Sequence, residues 1–321
     1  MTVQSPITGV ILAAGKGSRM APFSESFPKP MLPICNEPLI QHQIRIMHSL
    51  GVERVVILVG HKGFEISKAL GSGAALGVSI EYIEQTSFLG IAHAVGCMER
   101  AIKTPFLLFL GDIFFRRDRL EDMLRIFNEI PGGAVLAVKE ELDAAAMRKN
   151  FAVIENSQGH VVRVIEKPRA APSKLKGVGI YMFDVTIFDA IRQTPRTAMR
   201  DEYEITHSIQ VLIDDGYPVR ATHSIDEDVN LTFPIDLLRV NLAGARRQGE
   251  ASIIGNGTCI HPQAEIVHSV IGDNVRIEHP IRLSNSLVFA GSSITTTANL
   301  DMHIVTPDGM VDCSAANGEH P

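Results

Sequence analysis

The sequence predicts an α/β fold: a mixed, mostly parallel sheet with helices on both faces, followed by a short left-handed hexapeptide β-helix. Three observations predict it. Apolar runs of strand length alternate with helix-period segments over roughly the first 130 residues, as in a doubly wound, Rossmann-like sheet. From about residue 133 the strands come in runs, one of them a hairpin, which extends the same sheet as α+β structure. Beyond Gly249 an apolar residue returns every six positions, the period of a hexapeptide β-helix.

The elements follow in order. Residues 7–13 form an apolar strand that ends in small residues and Gly15. A helix over 38–50 places Leu39, Ile40, Ile44, Met47 and Leu50 at three- and four-residue steps, and Gly51 stops it. "RVVILVG" (54–60) is a nearly continuous apolar strand, the signature of burial on both faces. A helix (63–70), a strand (78–83), a helix (91–102), the strand "PFLLFLGD" (105–112) and a helix (118–129) continue the alternation. "AVLAVK" is a strand, and 151–168 is a hairpin turning at Asn156–Gly159. A strand over 177–184, helices over 185–192 and 203–214, a strand over 218–223 and a helix over 234–248 complete the first part. In the second part Ile254, Ile260, Ile266, Ile271, Ile277 and Leu283 stand at steps of six with one step of five, making roughly two coils. This reading divides the chain into residues 1–249, a β-helix at 250–300 and a ragged tail at 301–321.

Composition narrows the function. With 321 residues and 45% hydrophobic content the chain can bury a large core. A formal net charge of -6 argues against a general nucleic-acid binder. The cysteines Cys35, Cys97, Cys259 and Cys313 form no C-x-x-C pair, so neither a zinc knuckle nor a disulfide framework is signalled. No basic region precedes the first apolar run and no apolar stretch approaches membrane-spanning length, so a soluble, cytoplasmic protein without membrane partners is expected.

The chemistry starts at "LAAGKGSRM" (12–20). A strand entering a glycine-rich turn aims backbone N–H groups at an anion, and Gly15 and Gly17 let the backbone approach it closely. Arg19, and Lys29 in "PKPMLPI", add positive charge. Two common phosphate loops fail. A Walker A loop would need glycine where Val10 stands, and a dinucleotide fingerprint would need it at Met20. The plain alternative is a tight strand-to-helix turn.

The longer pattern "LAAGKGSRM…PKPMLPI" resembles the signature of the sugar nucleotidyltransferases, the pyrophosphorylases that make nucleotide sugars, and the resemblance continues in order over about residues 7–245. It implies a nucleotidyltransferase catalytic domain over 1–249. Leu12, Ala13, Ala14, Gly15 and Gly17 would wrap the triphosphate, with Arg19 and Lys29 on its phosphates. "YIEQTSFLGIAHAV" (82–95) matches the base-reading segment, so Gln85 and Gly90 would meet a pyrimidine. A side-chain amide offers the donor and acceptor that uracil or thymine requires. Asp112, closing "FLLFLGD", matches a Mg²⁺ ligand and lies where open α/β sheets bind ligands. In "DEDVNLTFPIDLLRVN" (226–241) the second metal position falls on Asn230, with Asp228 as the substitute. "FAVIE…VIEKP" and "GVGIY" resemble the sugar site: Ala152 and Gly179 would line the sugar, Glu166 would accept from its hydroxyls and Lys167 would meet its phosphate. Four positions depart from the pattern: Ile91 for a threonine, Ile113 for an asparagine, Ala152 for a glycine and His207 for an aspartate. Three of them concern the sugar half and leave the sugar's identity open.

The implied reaction joins a nucleoside triphosphate (UTP or dTTP favoured) to a sugar-1-phosphate (glucose-1-phosphate first) and releases pyrophosphate. The phosphate nucleophile is already ionised near neutral pH, so positioning and charge neutralisation, with Mg²⁺, would carry it. The main alternative is a non-catalytic nucleotide-sugar-binding or sensor protein of the same fold. An acyltransferase built on the β-helix is the other, and the short repeat argues against it. The β-helix is expected to serve assembly, its coil ends inviting a second copy and so a homo-oligomer.

Overall fold

The computed structural model describes residues 6–60, 62–117, 119–197 and 201–317. The chain forms two compact units. One holds the residues up to Lys16 and Gln43–Asp228, and the other holds Gly17–His42 and the residues from Val229 on.

The first unit is built on a nine-stranded mixed sheet. Its parallel half runs Phe106–Leu110, Thr8–Ala13, Arg54–Val59, Ser79–Glu84, each strand parallel to the next. Val55–Leu58 and Phe106–Phe109 are fully buried at every position. Successive strand side chains point to opposite faces, so both faces of these strands are covered. The sheet continues through Leu175–Phe183, antiparallel to Phe106–Leu110, and then the hairpin Phe151–Glu155 and Val161–Glu166. Ala134–Glu140 also pairs antiparallel with Leu175–Phe183, and Val219–Thr222 pairs parallel with it. One continuous apolar cluster, with Val10, Leu58, Phe106, Tyr181 and Ile209 among its members, joins the sheet to its helices.

Most expected elements are present, and the differences have local causes. The helix after Gly90 is short, Ile91–Gly96, and is followed by turns. Three elements of five or more residues escape the sequence reading: the strand Ile113–Arg117, the helix Ala144–Lys149 and the strand Ile225–Asn230. The two strands pair with each other, and Arg116 bridges to Asp226 at 3.2 Å and Glu227 at 3.8 Å. The helix Glu121–Glu129 therefore starts later than expected.

In the second unit, parallel strands stack in register every 17 residues, as Ile253 on Val270, Val270 on Leu287 and Leu287 on Ile304. Three faces of six, six and five residues make one coil, which explains the single step of five. The coil interior is apolar, with Ile271, Ile277, Leu283, Val288 and Ile294 buried. At one corner, serine hydroxyls accept the amide one coil further on: Ser252 from Ser269, Ser269 from Ser286, and Ser286 from His303. The repeat extends beyond the boundary at residue 300. Leu300 and Val305 keep the apolar period, and Gly309–Asp312 closes the stack as an antiparallel strand on His303–Thr306. Two coils were therefore too few.

The β-helix also carries the segment 17–42. Phe23 and Phe27 pack on Phe289, with ring centroids at 5.8 and 5.3 Å, and the Asn36 amide donates to the Ile271 carbonyl at 2.8 Å. The helix Pro234–Arg247 contributes Asn241, which is fully buried. Its oxygen accepts from Cys35 N at 2.7 Å, and its amide donates to Pro33 O and Leu237 O at 2.9 Å.

Candidate active site

The expected site residues divide between the units. Leu12 to Gly15, Gln85, Gly90, Asp112, Ala152, Glu166, Lys167 and Gly179 lie in the first; Gly17, Arg19, Lys29 and Asn230 lie in the second.

In the first unit the end of the strand Thr8–Ala13 is pinned between two glycines. Gly111 N donates to Leu12 O at 2.9 Å, and a Cβ at Gly111 would lie 2.6 Å from that oxygen. A Cβ at Gly60 would lie 2.5 Å from Ala14 O. Both contacts are with backbone, so only glycine fits. Gly15 is different: it is exposed, and a Cβ there would meet nothing within 4 Å among the described residues. Packing does not demand a glycine at 15.

Asp112 is half-buried in the two-residue turn between Phe106–Leu110 and Ile113–Arg117. It is not a cap of the helix Glu121–Glu129. The carbonyls on either side of the turn, Leu110 O and Ile113 O, both accept from Gln43 Nε2, at 2.9 and 3.0 Å. Sequence reading missed Gln43, although it left a signal. It stands four residues from both Leu39 and Met47, in the apolar stripe of its helix.

Gln85 is buried. Its Nε2 donates to Ser87 O at 2.9 Å and lies 3.2 Å from His93 Nδ1, which fixes the orientation of the amide. Gly90 has φ 102°, and a Cβ there would lie 2.5 Å from Tyr203 O, so the turn into the helix Ile91–Gly96 requires glycine.

In the antiparallel half, Glu166 ends the hairpin and accepts from Thr206 Oγ1 at 3.3 Å. Lys167 follows at φ 43°, a left-handed conformation uncommon for lysine, and its amide donates to Asn150 O at 2.8 Å. Its Nζ lies 3.9 Å from Glu166 Oε1. Gly179, at φ 72°, lies under Ile113, whose Cδ1 would be 2.4 Å from a Cβ at 179. Ala152 is fully buried within the sheet, opposite Ile165 and Lys176, and turns no surface outward. Its methyl fills the place a glycine would have left open. His207 is exposed, and its neighbour Thr206 makes the contact to Glu166.

In the second unit Gly17 adopts a left-handed conformation, φ 63° and ψ 29°, at the start of the short turn Ser18–Met20. A Cβ there would come within 3.4 Å of the Lys29 side chain. The fold thus brings the glycine turn and the Pro-Lys-Pro stretch together. Lys29 is 9% exposed, while Arg19 stands in solvent. Asn230 ends the strand Ile225–Asn230.

Asp228, the substitute metal ligand, is excluded. Its side chain is 2% exposed and accepts from Lys176 Nζ at 2.8 and 3.1 Å and from Lys139 Nζ at 3.4 Å. Two ammonium groups on one buried carboxylate repel a cation. Asp112 in the first unit offers a carboxylate, a hard donor of the kind that suits Mg²⁺. Among the described residues no group of three or more His, Cys, Asp or Glu could hold a metal ion.

A Rossmann-like sheet with a glycine turn on its first strand and an acid at the carboxyl end of a neighbouring strand defines the class of nucleotide-binding α/β proteins. Residues 8–229 match the family model described as nucleotidyl transferase, and the chain belongs to that family. It is 35% identical over 214 residues to the low-salt glycan biosynthesis nucleotidyltransferase Agl11 of Haloferax volcanii, a match covering 66% of this chain and 58% of that protein. It is 30% identical over 288 residues to a glucose-1-phosphate thymidylyltransferase of Streptomyces antibioticus, covering 89% of this chain and 79% of the relative. It is 34% identical over 227 residues to the UTP–glucose-1-phosphate uridylyltransferase AglF of Haloferax volcanii, covering 71% and 92%. The chain therefore spans less than two thirds of the length of the first of these relatives and most of the length of the other two.

Proposed function

We propose that the protein is a Mg²⁺-dependent sugar-1-phosphate nucleotidyltransferase that makes a pyrimidine nucleotide sugar and pyrophosphate. The observation that carries this reading is the Asp112 turn, a half-buried carboxylate at the carboxyl end of a central strand, hydrogen-bonded through Gly111 to the strand that leads into the glycine loop. Relatives named as thymidylyl- and uridylyltransferases support a pyrimidine and glucose-1-phosphate, and they leave dTTP and UTP both as candidates.

An oxygen of the sugar phosphate attacks the α-phosphorus. The new P–O bond forms as the bond to the β-phosphate oxygen breaks, and pyrophosphate leaves with that electron pair. The nucleophile is already anionic, so no side chain need take a proton. Asp112 and Asn230 would hold Mg²⁺, which when bound neutralises charge on the reacting phosphates. The amides of 12–17 and the Arg19 guanidinium hold the leaving pyrophosphate, and Lys29 holds phosphate nearer the reacting phosphorus. Gln85 and Gly90 read the base. Glu166 accepts from sugar hydroxyls, and Lys167 anchors the sugar phosphate. We assign this catalysis to residues 1–249, and to the β-helix from residue 250 the support of the segment 17–42 and of a homo-oligomer. Among the described residues no helix is long and apolar enough to cross a membrane. The substrates of this reaction are small and soluble, and we place it in the cytoplasm.

The test is pyrophosphate release from a matrix of UTP, dTTP, CTP, ATP and GTP against several sugar-1-phosphates. Release with UTP or dTTP and glucose-1-phosphate is expected. Tight nucleotide-sugar binding with no release from any pair would identify a binding protein and overturn the catalytic reading.

A further inference from the structure

We infer that Gln43 is a positioning residue for the Asp112 carboxylate, acting through the backbone of the turn; this rests on the reading that Asp112 holds Mg²⁺. Gln43 is completely buried, in the middle of the helix Leu39–Ser49. Its single amide group donates to the two carbonyls that bracket Gly111–Asp112, Leu110 O at 2.9 Å and Ile113 O at 3.0 Å. The orientation is unambiguous. With the amide reversed, its oxygen would face two carbonyl oxygens at hydrogen-bond distance.

The other half of the amide marks the residue as more than filler. Gln43 Oε1 is buried and has no hydrogen-bond partner among the described residues. A buried unpaired acceptor is unfavourable, and a methionine or leucine in the same apolar stripe would avoid it. The fold tolerates this cost at the position where a side chain can tie two carbonyls of one turn together. The tie acts on both flanks of Asp112, so it restricts where the carboxylate can swing. Groups that orient a metal ligand from behind govern affinity for the ion, and their loss lowers it by about 10- to 100-fold.

The test uses the full chain with Mn²⁺ and dTTP and no sugar phosphate, so that nothing turns over. Binding of Mn²⁺–dTTP is followed by water-proton relaxation, and metal-free dTTP binding by calorimetry. Gln43→Met and Gln43→Leu each remove both donors and place only apolar atoms at this fully buried position. Each is expected to weaken Mn²⁺–dTTP about 10-fold or more and to leave metal-free dTTP binding within about 2-fold; in a separate assay with sugar phosphate added, each should raise the Mg²⁺ concentration for half-maximal turnover by the same factor. Wild-type Mn²⁺–dTTP affinity in both variants overturns the inference. So does an equal loss of metal-free binding, or failure of both variants to fold by circular dichroism, since each marks a merely structural residue. Asp112→Asn separates the two claims. Unchanged Mn²⁺–dTTP affinity there sinks the metal reading itself, whereas weakened affinity there with normal Gln43 variants sinks only this inference.

Discussion

The two units hold their candidate site residues by different means. In the first, the Asp112 turn is held at its backbone by hydrogen bonds: Gly111 N on Leu12 O, and Leu110 O and Ile113 O on the Gln43 side-chain amide, with glycines at 60 and 111 where the chain passes close to the end of the first strand. In the second, Gly17, Arg19 and Lys29 ride on a segment ordered by side chains, with Phe23 and Phe27 on Phe289 and Cys35 on Asn241. On the proposed reading, a carboxylate that holds a small ion would need placement to fractions of an ångström, which a hydrogen-bonded turn supplies. Cations that meet a flexible triphosphate would tolerate more play, and packing would suffice for them.

The largest expected effect falls on the rigidly held group. Asp112→Ala should lower kcat by about 10³-fold, the scale seen when a transition-state charge loses a fixed partner. Its melting temperature should stay near that of the parent, because the turn is tied by Gly111 and Gln43 and not by the carboxylate alone. Turnover and a thermal melt on the same sample check this. Near-normal turnover at saturating Mg²⁺ would remove the metal role from Asp112.

Next comes Glu166, in the antiparallel half of the same unit. Glu166→Gln keeps the shape and removes the charge that strengthens hydrogen bonds to sugar hydroxyls, a difference of about 1–2 kcal/mol. The KM for the sugar phosphate should rise roughly 5- to 30-fold, with the KM for the nucleotide unchanged. Steady-state kinetics with each substrate varied in turn would show it. A rise in both KM values would mean that the hairpin is not a separate sugar subsite.

A smaller effect is expected where packing is the means. Phe289→Leu keeps the β-helix apolar and removes the ring contacts to Phe23 and Phe27, about 0.5–1.5 kcal/mol each. Looser anchoring of 17–42 should raise the nucleotide KM a few-fold and leave the sugar-phosphate KM alone. The opposite pattern would break the comparison, because the segment would then not be serving the phosphates.

How legible all this was in the sequence follows the same division. The parallel strands were readable because burial on both faces leaves uninterrupted apolar runs such as Val55–Leu58. The glycine loop, Asp112 and Glu166 were readable because their motifs are local. Ile113–Arg117 and Ile225–Asn230 were not, since their pairing joins residues more than 100 positions apart, as the contacts of Arg116 with Asp226 and Glu227 mark. Asp228 looked like a free acid because nothing in the sequence shows that Lys139 and Lys176 converge on it. The repeat was visible as sixes, but the 17-residue coil, and with it the strands beyond 300, appears only when the rungs stack.

His207→Asp gives the smallest expected effect and tests how far sequence departures matter. The resemblance places an aspartate here, and the change to histidine raised doubt about the sugar site. The side chain is exposed near the start of the helix Ile205–Asp214, while Thr206 beside it carries the contact to Glu166. A negative charge in a first helical turn is stabilising by about 0.3–1 kcal/mol. His207→Asp should therefore raise the melting temperature by a degree or two and leave every KM within about 2-fold. If instead the sugar-phosphate KM fell tenfold, residue 207 would reach the substrate, and the departures in this half of the sheet would be marks of a different sugar.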